Sequence, residues 1–197
     1  MCNSTNVDVV LKAWLLEYWQ WLVVAVLMLL LIVVVVYTLK QIHRLWMIWT
    51  EPFKKGHTYR CKIIRVTDGD TVVCQKRFFS RQQTTVRLAY IDAPESKQVY
   101  GSESTHALQR MVLNKNVQIL ITTVDGYGRH VGDLYRNGKN INETMITQGH
   151  AWAYPTYGKN KAHKEHLLSL QAKAKTKKIG LWKNRKVENP SDFRKRK

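Results

Sequence analysis

The sequence predicts an α+β, mainly β fold, a small barrel of five short strands with three helices, preceded by one transmembrane helix. Three observations carry that expectation. A run of 22 residues without a formal charge, Tyr18 to Leu39, stands ahead of the rest of the chain. Behind it come short β-rich runs separated by turn residues, a pattern that suits a small barrel better than an alternating parallel sheet. Only three cysteines occur in 197 residues, with no zinc-type spacing, so a packed core and not a disulfide framework must hold the fold.

The amino-terminal tail, residues 1–17, carries Asp8 and Glu17 where a signal peptide has a basic start, and no small-residue cleavage site follows the apolar run. Residues 18–39 are therefore expected to be a retained anchor, long enough for the roughly 20 residues that a bilayer core demands. Trp14, Trp19 and Trp21 gather at one end and Tyr37, Trp46 and Trp49 at the other, as interfacial aromatic belts do. Residues 40–56 read as a juxtamembrane linker ended by Pro52 and Gly56. Counting Lys and Arg on the two flanks puts the carboxyl-terminal side in the cytoplasm.

Beyond the linker, Tyr59 to Val66 and Thr71 to Arg77 form a hairpin about the Asp-Gly turn. Cys61 and Cys74 fall a few residues out of register across it and are expected to be free thiols. Thr84 to Ile91 is a third strand, stopped at Asp92-Ala93-Pro94 because proline cannot continue a ladder. Ser102 to Leu113 is a helix with Ala107, Leu108, Met111 and Val112 inward. Strands follow at Val117 to Val124 and Val131 to Tyr135, then a short helix at Asn142 to Gln148. Lys159 to Lys178 is the last helix, with Ala162, His166, Leu167, Leu170 and Ala174 on one stripe and Gly180 as its cap.

Thirty-two Lys and Arg against 14 Asp and Glu give a formal charge of +18, nearly all of it after residue 50. That charge points to a polyanionic partner, nucleic acid or an anionic lipid surface. In so basic a chain the acids Asp68, Asp70, Asp92 and Glu95, interleaved with Arg87 and Arg129, need an explanation. Carboxylates at turns and strand ends suit a hard, oxygen-seeking cation, and guanidinium forks suit a phosphate. Metal, arginines and a spare carboxylate together are the equipment for phosphodiester hydrolysis. His163 and His166 do not follow metalloprotease order. The 14 Lys and Arg of residues 159–197 suit equally a DNA-tracking surface or a solvated helix face with a tail.

In this order and on these elements the motifs are those of a family. VTDGDTV at Val66 to Val72, VRLAYIDAPE at Val86 to Glu95, YGSES at Tyr100 to Ser104 and DGYGR at Asp125 to Arg129 carry the resemblance. GKNINETMITQGHAWAY at Gly138 to Tyr154 and the segment His163 to Trp182 extend it. Residues 57–183 resemble the staphylococcal nuclease family, followed by a basic tail at 184–197. The resemblance implies a five-stranded OB-fold barrel with three helices and a calcium-dependent nuclease acting on DNA and RNA and leaving 3′-phosphate ends. It further implies that Asp70, Asp92 and the backbone carbonyl of Ala93 bind one Ca²⁺ ion, and that Glu95 positions or deprotonates the attacking water. Arg87 and Arg129 grip the phosphate, and Tyr127 and Tyr154 contact the nucleotide. Ala93 stands where the best-known member has threonine, and the loop at Ser96 to Val99 is shorter than in that member.

The expected protein is thus a monomeric, single-pass membrane nuclease. The count of basic residues favours a cytoplasmic catalytic domain, and the habit of the resembled family favours an exported one. A noncatalytic nucleic-acid-binding OB-fold module at a membrane is the competing expectation, and a lipid-surface adaptor a third that leaves the acid cluster unused.

Overall fold

The computed structural model describes residues 4–50, 52–76, 82–157, 159–184 and 187–196, so Cys2, Arg77 and Lys197 lie outside the described residues. The chain divides into two units, Met1–Glu51 and Pro52–Lys197.

The first unit is one helix, α1 (Ser4–Thr50), 47 residues long and about 70 Å at 1.5 Å per residue. Within it Glu17–Trp46 is long and apolar enough to cross a membrane, with a mean hydropathy of 3.2 in its most apolar stretch and none of that stretch buried. Leu29, Val33 and Tyr37 are all more than half exposed. The side chains of Lys12 and Trp49 lie outside the described ones. The expected linker at 40–56 is instead helical through Thr50. No glycine or proline occurs between Tyr18 and Pro52, so nothing breaks the helix until the proline.

The second unit contains β1 (Thr58–Asp68), β2 (Thr71–Lys76), β3 (Gln83–Leu88), β4 (Ile91–Asp92), α2 (Gly101–Val112), β5 (Asn116–Val124) and β6 (His130–Arg136). After these come β7 (Lys139–Asn140), α3 (Ile141–Thr147), β8 (Trp152–Ala153), α4 (Lys161–Thr176) and α5 (Pro190–Lys195). The strands pair in the order β3-β2-β1-β5-β6, and a parallel pairing of β3 with β6 closes the ring. The result is the closed five-stranded barrel that the sequence predicts. Cys61 pairs with Lys76 and Ile63 with Cys74, so the two cysteines are not opposite each other, and both are buried free thiols.

Alternation along the strands fills the barrel with Cys61, Ile63, Val72, Val86, Leu88, Ile119, Ile121 and Leu134. Ala107, Leu108 and Val112 of α2 and Ile141, Met145 and Ile146 of α3 cover its ends. On α4 the buried stripe is Leu167 and Ala174, with Leu170 half-buried, whereas Ala162 and His166 are exposed. The side chain of Asn160 accepts a hydrogen bond from the amide of His163 and starts α4 two residues later than expected.

The expected third strand is split. After Leu88 the chain turns through Tyr90 at φ 64, and Ile91–Asp92 pairs with Trp152–Ala153. The buried Asn142 holds this break open, donating to the carbonyls of Ala89 (3.0 Å) and Gly132 (3.1 Å) and accepting from the amide of Leu134 (3.1 Å). Three hydrogen bonds satisfy a buried amide that would otherwise be costly. The consequence is that Asp92 leaves the barrel wall and faces the turn between β1 and β2.

Part of the expected tail is also structured. Pro190 is buried at the start of α5, Asn189 caps the helix, and the Gln98 side-chain amide donates to the carbonyl of Glu188 at 2.6 Å.

Candidate active site

A cleft of about 1090 Å³ opens at one end of the barrel. Its floor starts at the tight turn between β1 and β2, where the amide of Asp70 donates to Asp68 Oδ1 at 3.0 Å. Gly69 lies against Ser104 of α2 so closely that a Cβ would collide with the serine hydroxyl, which is why glycine stands there. The turn aims Asp70 at the segment after β4. Its Oδ1 accepts from the Thr71 hydroxyl (2.9 Å), and its Oδ2 accepts from the amide of Ala93 (2.9 Å).

Arg87, opposite Thr71 on β3, ties the two acids together. Its Nη1 lies 3.2 Å from Asp70 Oδ2 and donates to the carbonyl of Ile91 at 2.9 Å, while Nη2 donates to Asp92 Oδ1 at 2.9 Å. The side chain is 18% exposed and Asp92 as a residue 1%, so this is a largely desolvated pairing with a fixed fork. Glu95, two residues past Ala93, is held at its backbone by Gln98, whose Oε1 accepts from the Glu95 amide at 3.1 Å.

Over these acids lies a second guanidinium. Arg194 of α5 donates from Nη1 to Asp92 Oδ1 (3.1 Å) and Glu95 Oε1 (2.8 Å), and from Nη2 to Asp92 Oδ2 (2.9 Å). It lines the cleft and covers Asp92, which does not itself line it.

The rim is the turn between β5 and β6. Asp125 Oδ1 accepts from the amides of Tyr127 (3.0 Å) and Arg129 (2.9 Å), and its Oδ2 pairs with Arg129 Nε at 2.8 Å. The Arg129 guanidinium lies 5.5 Å from the ring centre of Tyr127, a cation–π contact. Tyr127 is 88% exposed. Tyr154, whose amide donates to the carbonyl of Tyr90 at 2.7 Å, lines the wall.

The electrostatics differ between floor and rim. Burial pushes the Asp92 carboxyl above the usual carboxylate range; the Arg194 hydrogen bonds oppose this and the negative charge of Asp70 adds to it. Burial, and then the neighbouring Asp70, push Asp68 up to about 6. At the rim, burial pushes Asp125 up but is outweighed by hydrogen bonds from Arg129 and Tyr127, which hold its carboxyl below the usual range. Buried acids that repel one another demand cationic company. Among the described residues no three or more His, Cys, Asp or Glu side chains form a metal cage. Two carboxylates with a neighbouring backbone carbonyl are nonetheless a donor set chemically fit for a hard cation that completes its shell with water.

Seven of the eight residues expected at the site, Asp70, Arg87, Ala93, Glu95, Arg129, Tyr127 and Tyr154, line this one cleft, and Asp92 lies beneath Arg194. Arg129 is brought to the cleft, where its ion pair is with Asp125 of its own turn. Arg194 was not expected there. It lies 102 residues from Asp92 in a basic segment, and no local spacing marks it.

Residues 85–184 match the family model described as Staphylococcal nuclease homologue, a span that begins after β2 and so leaves out Asp70. An uncharacterized endonuclease of Haemophilus influenzae is 37% identical over 134 residues, covering 68% of this chain and 72% of that protein. Staphylococcal-like nuclease CAN1 of Arabidopsis thaliana is 42% identical over 112 residues, which is 57% of this chain but 33% of the plant protein. A micrococcal nuclease of Shigella flexneri is 34% identical over 145 residues, 69% of this chain and 80% of the relative. Barrel topology, an acid-floored cleft with an arginine bridging its carboxylates, and these similarities converge: the chain belongs to the staphylococcal nuclease homologue family.

Proposed function

We propose that this nuclease is calcium-dependent, cleaves phosphodiester bonds of DNA and RNA to leave 3′-phosphate ends, and is tethered to a membrane through residues 18–39. The observation that carries this reading is the bridging of Asp70 and the buried Asp92 by the Arg87 fork at the floor of the cleft. Asp70, Asp92 and the Ala93 carbonyl would hold the calcium ion, which when bound supplies Lewis-acid stabilisation of charge on phosphate oxygens.

The chain's own residues divide the remaining work. Glu95, exposed enough to meet water, orients the attacking water and takes its proton. Arg87 donates to the phosphate from the floor and Arg129 from the rim, neutralising charge that grows as phosphorus becomes five-coordinate. Tyr127 and Tyr154 offer ring faces and hydroxyls to the nucleotide. The net charge of +18 draws the polyanion in. The proposed nuclease acts as a monomer. Residues 1–17 and 40–56 then flank the anchor, 57–183 form the catalytic domain, and 184–197 follow it.

The test is cleavage of end-labelled single-stranded DNA by the full chain in detergent micelles, with calcium or magnesium added after chelation. Calcium should restore cleavage with 3′-phosphate ends. Magnesium should serve less well, because it demands near-ideal octahedral geometry that two carboxylates and a carbonyl do not impose. Equal turnover with both ions, or 5′-phosphate products, would contradict the proposal.

A further inference from the structure

Arg194 belongs to none of the roles above, yet it makes the densest set of contacts with the floor acids. Both oxygens of Asp92 accept from its fork, and the same Nη1 reaches Glu95 Oε1. The side chain is 45% exposed, so it approaches from the open side of the cleft, over the buried Asp92 and the half-buried Glu95. Its helix is positioned for this by the buried Pro190 and by the Gln98 contact to Glu188. Gln98 also holds the Glu95 backbone, so one side chain fixes both the acid and the helix that covers it.

We propose that Arg194 is a tethered cation that inhibits the nuclease from within, docked on Asp92 and Glu95 where the metal ion and the attacking water must otherwise be served. This rests on the calcium reading given above. A guanidinium bonded to both Asp92 oxygens leaves that carboxylate poorly placed to ligate a metal. Two cations drawn to one buried acid also repel each other at short range, where the dielectric is low. The same fork occupies Glu95 Oε1, the oxygen side that an attacking water would approach. Entry of the metal therefore requires Arg194 to swing out, and the apparent metal affinity is lowered by the fraction of molecules in which it is docked. The displaced guanidinium, on a segment that also carries Lys195 and Arg196, is then free to meet a phosphate of the incoming strand.

The experiment is calorimetric titration of calcium into the full chain in detergent micelles, with no nucleic acid present, for the unaltered protein and for Arg194→Gln, Arg194→Lys and Asp70→Asn. Thermal unfolding confirms that each variant is folded. Arg194→Gln should tighten calcium binding by about tenfold, the factor if roughly nine molecules in ten are docked. Arg194→Lys, which keeps the charge but loses the fork, should fall between. Asp70→Asn should abolish binding. If calcium binds in an Asp70-dependent way but Arg194→Gln leaves affinity unchanged or weakens it, the inhibitory role is wrong and the calcium site stands. If no variant binds calcium, both fall together.

Discussion

Arg87 and Arg129 line the same cleft, yet they are held in opposite ways. Arg87 is locked between Asp70 and Asp92, acids contributed by the β1–β2 turn and by β4, and it is largely hidden from water. Arg129 is held by Asp125, an acid of its own turn, beside a tyrosine that is almost fully exposed. The floor is built by tertiary structure and the rim by a local turn. Preorganised, desolvated donors are what stabilise charge in a transition state, whereas exposed aromatic and cationic groups mainly bind. Under the proposed function this difference gives the larger share of transition-state stabilisation to Arg87 and the larger share of substrate grip to Tyr127, with Arg129 serving both.

The comparison breaks most visibly at Arg87. Arg87→Lys keeps the charge that Asp70 and Asp92 need and loses the planar fork, and turnover should drop by about a hundredfold or more. Thermal unfolding should stay close to that of the unaltered protein, which separates lost chemistry from lost fold. At the rim the expected effect is smaller and of another kind. Tyr127→Ala should raise KM by about tenfold, within the range for one base–aromatic stack, and leave kcat nearly intact. An equal fall in kcat would move Tyr127 into the chemistry.

The smallest effect concerns the support beneath the floor. Ser104 of α2, the residue packed on Gly69, donates to the carbonyl of His150 at 2.7 Å, and the His150 ring lies 3.1 Å from the Tyr100 hydroxyl. Burial, with Arg110 adding to it, holds the His150 pKa below its ordinary 6.5. As pH falls through 6.5 the unfolded chain takes up a proton that the folded chain resists, so stability present above that pH is lost on acidification. Asp68, pushed up to about 6, takes up its proton in the folded chain first and acts in the opposite sense over the same range. The His150 contribution is therefore read by difference: the unfolding temperature of the unaltered protein relative to that of His150→Gln, followed by near-ultraviolet circular dichroism, should fall from pH 7 to pH 5. Turnover of His150→Gln at neutral pH should be little changed.

Local signals carried far in this sequence. The Asp-Gly turn, the strand stop at Pro94 and the inward faces of α2 and α3 all stand where spacing puts them, because each depends on neighbours in sequence. The meeting of Asp70, Arg87 and Asp92 in one cleft is tertiary, and it was legible only through the resemblance of their motifs to a known family. What stayed hidden depends on distant partners. The break between β3 and β4 rests on Asn142, some 50 residues on, and a strand pattern gives no hint of it. The docking of Arg194 rests on packing 102 residues apart, in a segment whose composition reads as a solvated tail. Within the expected juxtamembrane linker, α1 continues past the apolar stretch to Thr50, ahead of Pro52.

The turnover of Arg87→Lys at saturating single-stranded DNA and saturating calcium, relative to the unaltered full chain, separates chemistry at the floor from binding there. The floor-centred account gives a loss of about a hundredfold or more with DNA affinity little changed. Turnover kept within a fewfold, with the loss appearing only as weaker DNA binding, would contradict it and make the cleft a binding surface with its chemistry elsewhere.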